Sequence, residues 1–388
     1  SGIEIANLTN NVVSAANTIT VNDGTADETI HVRPTGANTA TIQVDGSVPV
    51  LHTTNTGALT IGAAGGGDDT LAVTYTSQAD DVAVDAAVGT LTHTTLKTIA
   101  FTTANIEALQ VFGGADSDTF TVTPSSTIPV FIDGGDPIGS GDSLVINAAA
   151  NTVTFIAGAQ NDEGSFAVAS NEAVSFDRIE SISVDGDGTN DLIVNGTNAD
   201  NDITLVGVAG NGGNNDFTIS IDGGPAILYT DFDSVTINGL AGDDDIDLDI
   251  NSLAATAITV DGGDPSSTGD VVTITGNAAG ADATNFTPNS VDGGVVTIAG
   301  LDGTGASNFN RITLQNLERL VYDGENGDEA LTITGTTGSD TFTHTAASAN
   351  DAGTVQVNTL LPIEYVSLGT GASSDVILAS GGGSGTDT

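Results

Sequence analysis

One short pattern recurs along the chain and limits how it can fold. Seven nine-residue windows carry glycine, then an acidic residue, then an apolar residue two positions after the acid. The four most regular windows are AGGGDDTLA (64–72), GGADSDTFT (113–121), GLAGDDDID (239–247) and GTTGSDTFT (335–343), and the three looser ones are GDGTNDLIV (186–194), GENGDEALT (324–332) and TGASSDVIL (370–378). Glycine permits a tight bend, and the apolar residue that follows the acid starts a β-strand. The pattern therefore predicts short strands joined by acidic turns.

Composition supports the same conclusion. The 388 residues include 51 acidic and five basic side chains, which gives a formal net charge of −46. Aspartate, which favours turns, greatly outnumbers glutamate, which favours helices. Glycine is abundant, with 50 residues, and Thr, Val and Ile fill the remaining segments. We expect little or no helix.

Longer internal repeats are also present. Residues 105–120 match 231–246, 131–146 match 259–274, and 178–191 match 316–329. The second pair shares the sequence GGDP followed by GD. These similarities predict three blocks: 1–175 with an N-terminal strand segment, 176–315, and an incomplete block 316–388 that ends in a flexible glycine-rich tail.

The strand pattern favours a parallel β-helix, or β-solenoid-like repeat array, in an all-β protein. The strands are rich in apolar residues, as expected of strands buried in parallel stacks. Aromatic residues are few, whereas β-sandwich cores usually carry a Trp or Tyr anchor. Tandem β-sandwich domains remain the alternative.

The acidic turns are candidate sites for a hard cation. Calcium takes about six to eight oxygen ligands from carboxylates and carbonyls, and a glycine-rich acidic turn offers both. The structural alternative is that Asp and Gly simply make good turns and keep the protein soluble. The candidate ligands for Ca²⁺ are Asp68, Asp69, Asp116, Asp118, Asp136, Asp142, Asp243, Asp244, Asp245, Asp264, Asp270 and Asp340. Within this set, the acids of the two GGDP segments could equally belong to rigid structural turns.

The nine-residue windows resemble the calcium-binding repeats of RTX (hemolysin-type) proteins, whose consensus is G-G-x-G-x-D-x-U-x with U apolar. The third glycine of that consensus corresponds to Gly67, Gly242 and Gly338, and its acid to Asp69, Asp118, Asp244 and Asp340. The resemblance implies a parallel β-roll with calcium between successive turns. In this chain, however, each window stands alone. The blocks also resemble the repeats of large secreted bacterial surface proteins.

Several functional classes are disfavoured. Five basic residues among 51 acids cannot form the surface that nucleic acids or anionic membranes require. No apolar stretch is long enough to span a bilayer as a helix, so we expect no membrane insertion. The four histidines are scattered and cysteine is absent, so we do not expect an enzyme. A β-helix polysaccharide lyase is a minor alternative, with Arg178, Arg311 or Arg319 beside calcium, although Arg178 and Arg319 are expected to pair locally with Glu180 and Glu318. The single lysine, Lys97, is expected at the surface.

The sequence therefore predicts an extracellular or cell-surface structural protein, a repeat rod stiffened by cations. We expect it to self-associate head to tail into a homopolymer, with the N-terminal segment 1–13 of one subunit completing the C-terminal block of the next. A calcium-dependent adhesin, or a module that binds a surface polysaccharide or ice, is the alternative.

Overall fold

The structure is a computed structural model of the chain. It describes residues 5–9, 17–22, 26–45, 50–54, 59–64, 67–136, 141–149, 151–160, 162–208, 216–250, 253, 256–265, 269–276, 283–299, 309–371 and 375–382. The described residues form strands, turns and bends, and contain no helix. Most of the predicted N-terminal segment 1–13 and of the predicted flexible tail 381–388 lies outside these ranges.

The strands are short and follow one another closely. Those that begin before residue 150 are β1 (Ile5–Thr9), β2 (Asn17–Asn22), β3 (Thr29–Gly36), β4 (Thr39–Val44), β5 (Val50–Thr54), β6 (Leu59–Ala64), β7 (Thr70–Thr74), β8 (Asp81–Asp85), β9 (Thr90–His93), β10 (Ile99–Phe101), β11 (Ala108–Ala115), β12 (Thr119–Thr123), β13 (Val130–Asp136) and β14 (Ser143–Asn147). The next are β15 (Val153–Ala157), β16 (Gly164–Val168), β17 (Val174–Asp177), β18 (Ser181–Asn195), β19 (Asp202–Gly207), β20 (Phe217–Ile221), β21 (Ile227–Asn238), β22 (Ala241–Gly242), β23 (Asp245–Asp249), β24 (Ala257–Asp261), β25 (Asp264–Pro265) and β26 (Val271–Thr275). The remaining strands are β27 (Ala283–Pro288), β28 (Gly294–Ala299), β29 (Phe309–Gln315), β30 (Arg319–Asp323), β31 (Ala330–Thr334), β32 (Phe342–Ala346), β33 (Gly353–Val357), β34 (Ile363–Val366) and β35 (Val376–Ala379).

The chain divides into two compact units. Unit 1 comprises residues 1–149 and 158–185, and unit 2 comprises residues 150–157 and 186–388. The three blocks inferred from sequence similarity are a different division of the chain and stay a prediction.

Parallel columns of strands build unit 1. Strands β3, β7, β11, β13 and β17 pair side by side in parallel, and β8, β12, β14 and the first part of β18 form a second parallel column. A third column contains β2, β6 and β10. In antiparallel pairs such as β3–β4 and β8–β9, the second strand does not belong to any of these columns. Strand β1 pairs in parallel with β5 of the same chain.

Unit 2 has the same construction. Strands β19, β23, β26, β30 and β34 form one parallel column. The end of β21 pairs with β24, which pairs with β29, and β27, β31 and β35 form a third column. Hairpins such as β27–β28 and β32–β33 are again antiparallel.

The core consists of apolar side chains stacked in register along these columns. Alternate residues of most strands point inward, as in β12, where Phe120 and Val122 are buried between half-buried threonines. One buried stack of unit 1 is Val82, Phe120, Leu144 and Ile182, and one of unit 2 is Ile203, Ile246, Val272, Leu320 and Ile363. Burying each such side chain contributes roughly 1.5–3 kcal/mol relative to exposure.

The predicted all-β, solenoid-like fold is confirmed. The apolar residue after the acid starts an inward-facing strand in several windows, as Phe120 and Ile246 show, whereas Phe342 begins a mostly exposed strand and Ile377 is 46% exposed. Stacked parallel strands disagree with the tandem β-sandwich alternative, because β-sandwich sheets are antiparallel. The strands nevertheless alternate buried and less buried residues more regularly than their apolar-rich sequences indicated.

Candidate functional site

The acidic turns of unit 1 are joined by a chain of hydrogen bonds that climbs from coil to coil. Asp118 Oδ1 accepts the backbone N–H of Asp80 at 2.8 Å, and Asp142 Oδ1 accepts that of Asp118 at 2.7 Å. Glu180 Oε2 accepts the N–H of Asp142 at 2.6 Å. Each acid thus accepts a backbone N–H from the acidic turn that precedes it in the stack, and we call the segment between two such turns a coil. We call this series the acid ladder.

Unit 2 repeats the acid ladder with the same chemistry. Asp244 Oδ1 accepts the N–H of Asn201 at 2.8 Å, and Asp270 Oδ1 accepts that of Asp244 at 2.9 Å. Glu318 Oε2 accepts the N–H of Asp270 at 2.7 Å. The internal repeats seen in the sequence therefore have a structural counterpart in how successive coils are bonded.

In the windows that begin with Gly113 and Gly239, the spacing between the first glycine and the acid has a steric cause. A Cβ placed on Gly113 would lie 2.2 Å from Asp118 Oδ2, and one on Gly239 would lie 2.3 Å from Asp244 Oδ2. Real Cβ atoms do not approach other atoms so closely, so only glycine leaves room for the carboxylate. The glycine that resembles a metal-loop residue in sequence is needed here to pack a buried acid.

The second oxygen of each ladder aspartate is in an unusual position. Asp118, Asp142, Asp244 and Asp270 are at most 1% exposed, and their Oδ2 atoms have no hydrogen-bond partner among the described residues. Burial raises the pKa of Asp118 to about 7 and that of Asp244 to about 6, and neighbouring carboxylates add to both shifts. Burial also raises the pKa of Asp142 and of Asp270.

The predicted ligands separate into two rows. The buried row lies inside the coils and contains Asp69, Asp118, Asp142, Asp244, Asp270 and Asp340. The outer row is exposed or half-buried and contains Asp68, Asp116, Asp136, Asp243, Asp245 and Asp264. Adjacent acids such as Asp68 and Asp69 therefore face opposite sides of the backbone.

The two remaining buried acids use their oxygens in a similar way. Asp69 Oδ1 accepts the N–H of Glu28 at 3.1 Å, and Glu107 Oε2 accepts the N–H of Asp69 at 2.7 Å. Asp340 Oδ1 accepts the hydroxyl of Thr336 at 2.8 Å. In the part of the chain that the structure describes, no three acidic, histidine or cysteine side chains converge where they could hold one metal ion. Calcium binding by the predicted set stays a prediction.

Outside the ladder, the GGDP segments form small cavities at the corners of the coils. In unit 1 a cavity of about 230 Å³ is lined by Phe112, Gly114, Asp133, Gly135, Asp136 and Arg178. In unit 2 a cavity of about 360 Å³ is lined by Asn238, Leu240, Asp261, Gly263, Asp264 and Asn316. We call them corner 1 and corner 2. Asp133, Asp261 and their cavities were not singled out from the sequence, although the GGDP repeat could have indicated them.

The arginines do not pair as predicted. Arg178 binds Asp133 of an adjacent coil with two nitrogens, Nε donating to Oδ1 at 2.8 Å, and this hydrogen bonding raises the Arg178 pKa. Arg319 binds Glu364, with Nη2 2.8 Å from Oε2. The expected local partners, Glu180 and Glu318, were wrong because each of these glutamates accepts a backbone N–H of the acid ladder instead.

Two buried polar groups were missed by sequence reasoning. Lys97 is fully buried rather than at the surface, and burial lowers its pKa. His93 Nε2 lies 3.1 Å from Asp80 Oδ1, while His93 Nδ1 accepts the N–H of Leu96 at 2.9 Å. Tyr75 stacks on His93 with ring centroids 5.9 Å apart. Neither residue type carried a recognisable spacing signal.

Comparison with known proteins adds no further assignment. No protein-family model matches the chain, and no curated protein is similar to it. The described residues contain no helix with the length and apolar character needed to cross a membrane.

Proposed function

We propose that the protein is an extracellular structural protein, a β-solenoid rod whose acidic turns are stabilised by bound cations. The observation that carries this proposal is the acid ladder, which uses each corner acid to bond one coil to the next in both units. Such a ladder of hydrogen bonds holds successive coils of a stack together. The scarcity of basic side chains supports recruitment of the balancing charge from solution.

Like charges also stack in register on the outer faces. Asp202 lies opposite Asp245 on neighbouring parallel strands, and both are exposed. Neighbouring strands are about 4.8 Å apart, and at this distance two carboxylates repel by roughly 1–3 kcal/mol, depending on the effective dielectric constant. Cations held near such pairs would remove this repulsion, and divalent ions would do so most effectively.

Thermal unfolding tests the role of cations. The full chain is melted with calcium, with magnesium and with chelator, at one ionic strength set by NaCl. We expect a rise in Tm that is largest with calcium, because specific binding to the folded state stabilises it by mass action. Equal Tm values in all three conditions would show that calcium does not stabilise the fold by specific binding, and that general screening by salt is sufficient to relieve the repulsion.

Strand addition is the proposed route to a homopolymer. Strand β35 pairs with β31 in parallel, and Ile377 and Leu378 on β35 are each 46% exposed. An exposed apolar strand recruits further strands. In the proposed filament the N-terminal segment 1–13 of a neighbouring subunit supplies that strand, in competition with the pairing of β1 to β5 of its own chain.

Sedimentation velocity tests this assembly. We expect the full chain to form oligomers whose size increases with concentration, and a variant lacking residues 1–13 to remain a folded monomer. A variant lacking residues 383–388 is the control and should assemble normally. Polymerisation of the chain without residues 1–13 would rule out this route while leaving the rod itself in place.

A cleft in unit 1 favours an adhesin as the second candidate function. It has a volume of about 530 Å³, and its lining includes the exposed Arg33, the hydroxyls of Thr35 and Ser77, and Tyr75. An arginine beside hydroxyl groups suits a carboxylate-bearing polysaccharide. Loss of binding to such a polysaccharide in an Arg33→Gln variant would support this function.

A polysaccharide lyase and an ice-binding protein receive less support. Arg178 and Arg319, two of the three candidate lyase residues, are each held by a carboxylate, Asp133 and Glu364. For ice binding, Thr236, Thr259 and Thr313 stack in register, but a neighbouring column mixes Asp247, Thr273 and Val321. We therefore propose a non-enzymatic protein.

A further inference from the structure

Corner 1 and corner 2 are two copies of one structural element. Their lining residues occupy matching positions of the internal repeats, so that Asp133 and Asp136 of unit 1 correspond to Asp261 and Asp264 of unit 2. By the same alignment, Arg178 corresponds to Asn316. One chain therefore contains two versions of the corner that can be compared directly.

The backbones of the two corners agree closely. Arg178 and Asn316 both lie in the left-handed region, with φ of 56° and 53°. Gly135 and Gly263 have φ of 108° and 107°. The two corners therefore share one backbone conformation and differ in their side chains.

The side chains differ in charge. In corner 1 the guanidinium of Arg178 neutralises Asp133, which is only 7% exposed. In corner 2 both carboxylates are retained, but Asn316 replaces the arginine and its Nδ2 donates to Asp261 Oδ1 at 2.6 Å. No basic side chain of the described residues lies within 4.0 Å of the Asp261 or Asp264 carboxylate. Corner 2 therefore keeps the acids of corner 1 without their positive partner.

The lining of corner 2 also has a side-chain oxygen, a possible metal ligand, at a position where corner 1 has an apolar residue. Asn238 stands in corner 2 where Phe112 stands in corner 1. Its Nδ2 donates to Asn195 Oδ1 at 2.8 Å, which leaves its own Oδ1 as an acceptor. All four polar side chains of corner 2, those of Asn238, Asp261, Asp264 and Asn316, thus carry a carboxylate or amide oxygen.

We propose that corner 2 binds one calcium ion, which takes the place of the Arg178 guanidinium in corner 1. This inference rests on the proposed function and names one site for its cations. Carboxylate and amide oxygens are hard ligands, and calcium accepts irregular sets of them completed by water. A half-turn of the Asn316 amide presents its oxygen to the ion. With only two carboxylates and an exposed Asp264, the expected dissociation constant is about 10⁻⁴–10⁻³ M.

Calcium titration by calorimetry tests the site in the full chain, at pH 7.5 and fixed ionic strength. Asn316→Arg copies corner 1 into corner 2 and should remove one equivalent of bound calcium. It should also leave the Tm in chelator equal to or above that of the wild type, since the arginine supplies the missing charge. Asp261→Asn, which keeps the shape of the side chain, should weaken binding of the same equivalent at least tenfold.

Thr345→Arg is the matched control. Thr345 is an exposed residue of β32 in unit 2 and does not line corner 2, so this variant adds the same charge elsewhere. It should bind as much calcium as the wild type. Far-UV circular dichroism checks that each variant is folded, and if Asn316→Arg fails to fold, the result for Asp261→Asn decides.

The outcomes separate this site from the proposed function. If Asn316→Arg and Asp261→Asn both bind calcium as the wild type does, corner 2 is not the site, even where calcium still raises the Tm and the cation-stabilised rod stands. If the wild type takes up no calcium, corner 2 is overturned together with calcium stabilisation. Loss of one equivalent in both variants, with the Thr345→Arg control unchanged, supports the assignment.

Discussion

Replacing Asp118 by asparagine should stabilise the protein at neutral and higher pH. Asp118 is fully buried, and its Oδ2 has no hydrogen-bond partner among the described residues. Asparagine keeps the oxygen that accepts the Asp80 N–H and puts an amide donor beside the Gly134 carbonyl, which borders the same space as Oδ2. The chain already contains an asparagine within the ladder, because Asn201 occupies in unit 2 the place that Asp80 has in unit 1.

The magnitude follows from the Asp118 pKa. Burial raises this pKa from 3.8 to about 7, and a change of one in a pKa corresponds to about 1.4 kcal/mol. Ionised Asp118 therefore costs the folded state at most about 4.5 kcal/mol. This pKa already includes the opposing effect of the hydrogen bond from the Asp80 N–H, which favours the charged form. The net stabilisation of Asp118→Asn at pH 8 is therefore up to about 4 kcal/mol.

The pH dependence provides the clearest sign. Because the folded-state pKa lies above the unfolded value, the folded wild type binds the extra proton as pH falls through about 7. The wild type should therefore gain stability between pH 8 and pH 4, and the variant should lack the part of this gain that Asp118 contributes. The difference between them should disappear near pH 4.

Urea denaturation at pH 4, 6 and 8, at constant ionic strength and in chelator, measures the effect. Asp68→Asn, which neutralises an exposed acid of another turn, is the control and should change the free energy of unfolding by less than about 0.5 kcal/mol. Destabilisation by Asp118→Asn of the same size at every pH would refute the reasoning, because it would mean that the charge itself is needed in the folded state.

Three further changes test the packing of the coils, each by urea denaturation. Gly113→Ala should destabilise the protein by about 1–3 kcal/mol, since the added Cβ would lie 2.2 Å from Asp118 Oδ2. Gly338→Ala is the control and should have little effect, because its Cβ would meet nothing nearer than 3.5 Å. Equal effects of the two variants would contradict the steric explanation. Leu240→Gly should stabilise by up to about 1 kcal/mol, because Leu240 has φ of 83° and is 42% exposed; a loss of stability would show that its side chain is needed at the corner. Phe120→Ala should cost about 3–5 kcal/mol, since Phe120 is fully buried in the core of unit 1, and a cost below 1 kcal/mol would argue against this packing.

The sequence was sufficient for the local structure of the chain. The windows placed an acid at the corner and an apolar residue two positions later, and Phe120 and Ile246 do begin strands that enter the core. This succeeded because turn chemistry and strand propensity act over a few residues. The same local signal gave the all-β class and the parallel stacking.

Contacts between coils were beyond the reach of sequence reasoning. Arg178 binds Asp133, which is 45 residues earlier, and not the nearby Glu180. Lys97 is buried although its neighbours in sequence gave no sign of it. Coil lengths vary, so the residue that will lie above or below a given side chain cannot be counted along the chain. For the same reason the windows could not reveal that their acids face opposite sides of the backbone.

The variable coil length has a practical consequence for redesign of this architecture. The ladder bond from Asp118 to Asp142 closes a segment of 24 residues, and that from Asp270 to Glu318 closes one of 48 residues, yet both are 2.7 Å long. The longer segment contains the antiparallel pair of β27 and β28, and yet the ladder bond that closes it has the same length. Foreign peptides grafted between β27 and β28 should therefore be displayed without breaking the ladder bond from Asp270 to Glu318.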